Sequence, residues 1–163
     1  MTLTEAYNAL KATYTNSAWV TSKGANVVLI DGVQANADVD ALNELYNATF
    51  QATPWTLIFE TPAVLLADTA TKQNHGRALF TVNVCENPQL ARTGDDPTAT
   101  LDALQSLLAV PLNLPAANRT AGRNLFQLAP SPNRILSFEG VRSGILFHRL
   151  TFTILVHVAP EST

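Results

Sequence analysis

A chain of 163 residues, 47% hydrophobic and 14% charged with a formal net charge of −3, is expected to form one domain spanning residues 1–163. At this length folding buries roughly 70% of the unfolded chain's surface, and the apolar share combined with low net charge excludes intrinsic disorder. Charge this sparse leaves Thr, Asn, Gln and Ser to wet the surface, and it weakens the repulsion between copies, which favours self-association.

No window approaches the roughly 18 consecutive apolar residues of a membrane span. The opening residues lack the basic start and apolar core of a signal peptide, so synthesis in reducing, intracellular surroundings is the expectation. One cysteine, Cys85, excludes an internal disulfide and any cysteine cluster for a metal. Up to residue 76 there are three lysines and seven acids; beyond it there are seven arginines and six acids. No basic run or stripe occurs, so sequence-specific nucleic-acid binding is not expected.

Leu3, Tyr7, Leu10 and Tyr14 fall on one stripe of a helix capped by Thr2 or Thr4 and ended by Asn16 and Ser17. The β-branched run within Trp19–Ile30 reads as a strand stopped by Asp31-Gly32, a turn pair. A helix follows over Val39–Phe50, capped by Asp38 or Asp40, with Val39, Leu42, Leu45, Tyr46 and Phe50 on its apolar face. Trp55–Glu60 and Ala63–Ala67 are short strands, with Pro62 between them as a break, bulge or edge position. Over Arg77–Glu86, Ala78, Phe80, Val82 and Val84 point to a core, while Arg77, Thr81, Asn83 and Cys85 point to water or a partner. The polar loop Asn87–Pro97 leads through Asp95, Asp96 and Pro97 into a helix carrying Leu101, Leu104, Leu107 and Leu108.

Pro111–Gly122 has no periodicity and reads as a functional or mobile loop. Strands follow over Asn124–Ala129, Arg134–Glu139 and Ile145–Ala159, the last alternating along its whole length. Strands joined by short turns, with two or three helices on one face, predict an α+β fold with a mostly antiparallel sheet.

Chemistry is hard to find in this pattern. His148 and His157 differ by an odd spacing, so a regular strand sends them to opposite faces and they cannot share a metal; His75 sits in a polar turn. Cys85 reads as a small half-buried residue, and Asp95-Asp96 as a helix cap rather than a cation site. No phosphate-cradling glycine loop, nucleophile elbow or zinc-protease helix occurs. No cofactor, no metal and no enzyme activity is expected. The arginines Arg92, Arg119 and Arg123 in or beside the two long loops read either as contact arms or as ordinary surface.

In their order, TEAYNALKATY at 4–14, PWTLIFETPAVLLAD at 54–68, the strand–loop–helix run at 76–110 and GILFHRLTFTILVHV at 144–158 resemble the tail terminator and tail completion proteins of tailed bacteriophages. The helix over 39–50 and the loop over 111–122 depart from that family's pattern. The resemblance implies a structural virion protein, assembled in the host cytoplasm as a hexameric ring, with one rim on the tail tube and the other on a neck or connector protein. The residues expected at such contacts are Arg92, Asp95, Asp96, Arg119 and Arg123 in the loops, with Arg149 and His157 on the polar face of the last strand. Two readings stand beside it. One is another neck, connector, baseplate or tail subunit; the other is a small-molecule-binding or hydrolytic α+β domain, marked by a cavity with converging polar groups.

Overall fold

The computed structural model describes residues 3–35, 39–66, 75–92, 98–113 and 134–157. Helix α1 (Leu3–Thr15) buries Ala6, Tyr7, Leu10 and Tyr14, the stripe read from the sequence. Two hydroxyls on that stripe tie it to distant chain. The Tyr7 hydroxyl shares its one proton between Asp31 Oδ1 at 2.6 Å and the Phe59 carbonyl at 3.2 Å, and Tyr14 donates to the Leu107 carbonyl at 2.9 Å. Burying a phenol requires such partners, so these bonds fix where the helix sits.

Ser17 does more than end α1: its hydroxyl accepts from the Val20 amide at 3.3 Å and caps α2 (Ala18–Lys23). Strand β1 (Val27–Asp31) follows, then α3 (Gly32–Ala35) and α4 (Val39–Ala52). Gly32 lies so close to β2 (Trp55–Phe59) that a Cβ there would stand 2.4 Å from the Phe59 carbonyl oxygen. Only glycine permits this approach.

β1 pairs parallel with β2, and a parallel pair needs a crossover over one face of the sheet. That requirement explains α4. Three helices, α1, α2 and α6 (Ala99–Ala109), share one core with Leu57, Phe59, Phe80, Val82, Val84, Leu150 and Phe152. Helix α4 instead sets Phe50 against Ile58, Cys85 and Phe147 on the other face. The expected helical layer is present, and the crossover adds a helix opposite it.

The remaining pairs are antiparallel; with β4 (His75–Glu86), β5 (Arg134–Arg142) and β6 (Ile145–His157) they give an α+β fold with strand order β1-β2-β4-β6-β5 among the described residues. The long strands β4 and β6 pair along their whole length and form the middle of the sheet. β2 and β3 (Ala63–Leu66) lie end to end along β4, with Phe59 opposite Val82 and Ala63 opposite Leu79. Four steps on one strand match three on the other, so the segment around Pro62 is a bulge, where proline costs the ladder nothing. The core side of the alternation read in β4 holds, with Ala78, Phe80, Val82 and Val84 buried; on the other side Arg77 is exposed, but Cys85, expected half-buried toward water or a partner, is buried because α4 covers that end of the strand. His75, expected in a turn, begins β4 opposite His157. No helix among the described residues is long and apolar enough to cross a membrane. The expected strand Asn124–Ala129 lies outside the described residues.

Candidate functional site

β5 (Arg134–Arg142) is the last strand of the sheet, joined to β6 by Ser143 and Gly144. Both turn residues have positive φ, 51° and 80°, the primed turn whose twist suits a two-residue hairpin. The pairing with β6 shifts register between Phe138 and Gly140, so β5 bulges at Glu139 and its straight part is 134–138. Among the described residues, half of the large apolar side chains in open solvent lie on this strand: Ile135 at 51%, Leu136 at 38%, Phe138 at 60% and Val141 at 58% exposure. They occupy both faces, because Ile135 and Leu136 are adjacent. An edge strand presents unpaired N–H and C=O groups, and proteins that keep such edges apart place charge or proline there. Residues 135–138 carry neither.

Phe138 covers a second feature. Its ring stands 5.3 Å from that of His148, its cross-strand partner, which is 8% exposed and whose Nε2 finds no hydrogen-bond partner among the described residues. Burial pulls the imidazole's pKa below its ordinary value; Glu86 pulls the other way and Arg92 reinforces the burial. His148 is therefore neutral near pH 7.

Glu86 ends β4 fully buried beside it. Thr100 Oγ1 lies 2.9 Å from both carboxylate oxygens, Arg92 Nε donates to Oε1 at 3.0 Å, and Arg92 Nη2 donates to Thr100 Oγ1 at 3.1 Å. A carboxylate without water needs such donors. This cluster clamps the first turn of α6 and the short helix α5 (Pro88–Ala91) onto the sheet. Neighbouring Asn87 adds a bond from Nδ2 to the Phe50 carbonyl at 3.0 Å, reaching α4.

The opposite face holds a groove of about 350 Å³ between α4 and the β5–β6 hairpin, with Phe50, Ile58, Cys85 and Phe147 in its lining. A polar row crosses the sheet there: Asn83 donates to Glu60, Arg149 Nε donates to Asn83 Oδ1 at 3.4 Å, and Arg149 Nη1 lies 3.6 Å from Glu139 Oε2. The row is long-bonded at Arg149 and partly solvated, so it orients side chains more than it stabilises them. Cys85 is buried and its thiol is pushed up to about 12 by burial, which leaves it protonated and unreactive. No group of three metal-ligating side chains occurs among the described residues.

Of the residues expected at contacts, Arg92 is turned inward onto Glu86 and Thr100, and Arg149 is exposed on the groove side. His157 is the last residue of β6 and lies opposite His75. Asp95, Asp96, Arg119 and Arg123 lie outside the described residues. The structure adds two features that spacing did not suggest, the β5 edge, without a further strand among the described residues, and the Glu86 cluster. The adjacent apolar pair Ile135-Leu136, which cannot both face one core, was the available signal for the edge. Nothing in the spacing of Glu86, Arg92 and Thr100 marks the cluster. No protein-family model matches the chain, and no curated protein matches it.

Proposed function

We propose that this chain is a structural subunit that assembles head to tail into a closed ring, of the type that terminates or completes the tail of a tailed bacteriophage. The single observation that carries the assembly is the β5 edge, apolar on both faces and free of charge and proline over 135–138. A heterologous interface closes into a ring when its rotation divides a full turn, and a strand edge supplies such an interface through backbone bonds. The sparse charge of the chain lowers the repulsion that packing several copies together would meet. The tail-specific role rests on the resemblance in element order, which implies a hexamer with one rim on the tail tube, the other on a neck or connector protein, and a place in the virion.

The test is native mass across a concentration series with negative-stain images, for the wild type and for Phe138→Lys, each alone and mixed with isolated tail tubes. Closed rings in the wild type and folded monomers in the variant, with matching far-UV circular dichroism, are expected because Phe138 lies mostly in solvent. A wild type that stays monomeric even on tail tubes, or a variant that forms normal rings, overturns the reading.

A further inference from the structure

We propose, resting on the ring reading above, that the ring closes as a continuous sheet in which residues 134–138 of β5 pair antiparallel with residues 27–31, the β1 strand, of the next copy. Among the described residues, β1 and β5 are the two ends of the sheet. β1 runs parallel to β2, and three antiparallel steps through β4 and β6 lead to β5, so the two end strands run in opposite directions. Copies related by rotation about an axis along the strands therefore bring β5 against β1 antiparallel, with each face of the sheet continued by the same face of its neighbour.

Length and side-chain parity agree. The bulge at Glu139 limits the straight part of β5 to residues 134–138, and β1 also has five residues. Full overlap sets positions 134 to 138 opposite positions 31 to 27. Leu136 then meets Leu29 and Phe138 meets Val27. Those two β1 residues are paired with Leu57 and Trp55 and pack on the main core, so Leu136 and Phe138 extend that core across the junction. On the other face Ile135 meets Ile30, which belongs to the second core with Phe50. A slip of one residue would turn one strand's apolar set to the wrong face. A two-fold pairing of β5 with β5 instead places position 134 against Phe138 and leaves both β1 edges open, which cannot propagate a ring.

Two cysteine pairs test the register from opposite faces: Leu29→Cys with Leu136→Cys, and Val28→Cys with Ser137→Cys. Facing Cβ atoms in an antiparallel pair lie about 4.5–5.5 Å apart, within reach of a disulfide after small adjustment. The native Cys85 is buried and silent. Mild oxidation should give, for at least one double variant, a ladder of cross-linked species rising from dimer to the closed ring, while each single variant stays uncross-linked. Dimers from Leu136→Cys alone would establish the two-fold pairing and overturn the inference. Rings seen by native mass with neither pair cross-linking would overturn the inference and leave the ring reading standing. A wild type monomeric on tail tubes would remove both.

Discussion

Arg92→Ala separates an internal role for this arginine from a contact role. In the structure its Nε and Nη2 hold Glu86 and Thr100, and Glu86 has no exposure to water. Truncation leaves a buried carboxylate with one hydroxyl proton to share between two oxygens. Removing one partner of a fully buried pair costs about 3–5 kcal/mol. The arginine side chain is 32% exposed, so water reaches the vacated position and lowers the loss to about 2 kcal/mol. Urea denaturation followed by far-UV circular dichroism should show that loss, with a thermal midpoint lowered by about 4–8 °C. Glu86→Gln in the same background should return part of it, because the uncompensated charge is then gone. A stability change below about 0.5 kcal/mol, together with failed assembly, would refute the argument and make Arg92 a contact residue.

Three further outcomes follow from single features. Burial lowers the His148 pKa, so the unfolded chain binds a proton that the folded chain resists. Stability is complete above the ordinary histidine value near 6.5 and falls as the pH drops below it, levelling off once the depressed folded-state pKa is passed. The urea midpoint of the wild type should fall between pH 7 and pH 5 more steeply than that of His148→Gln, and equal slopes would refute the assignment. Gly32→Ala must displace backbone, because its Cβ would stand 2.4 Å from the Phe59 carbonyl oxygen; a loss of about 1–3 kcal/mol by urea denaturation is expected, and wild-type stability would show the approach to be loose. Cys85, with its thiol pushed up to about 12, should resist a thiol-specific reagent at pH 8 in the native protein and react on unfolding, and rapid native labelling would contradict its burial.

Much of the local structure was legible because it depends on residue spacing alone. The stripe Leu3, Tyr7, Leu10, Tyr14 marks a helix whatever it packs on, and the alternation in β4 and β6 assigns their faces before any partner is known. The helix over 39–50 was legible in the same way, but its side of the sheet was not. That depended on β1 pairing parallel with β2, a long-range choice that leaves no periodic mark. The end of β5 was likewise read too early: Gly140 and Val141 look like a turn in the sequence, whereas a bulge at Glu139 carries the strand on to Arg142.

The candidate site shows the same division. By itself the sequence determined an α+β fold poor in charge, one cysteine and a long closing strand, since composition and alternation act locally. Tertiary structure decided that residues 134–138 form an outer edge, that Phe138 covers His148, and that Arg92 turns inward to Glu86. Each of those depends on strand order or on where a fully desolvated carboxylate finds its donors. Such relations join residues between 6 and 66 positions apart, from Arg92 on Glu86 to Arg149 on Asn83, and they come into being only when the sheet closes around its core.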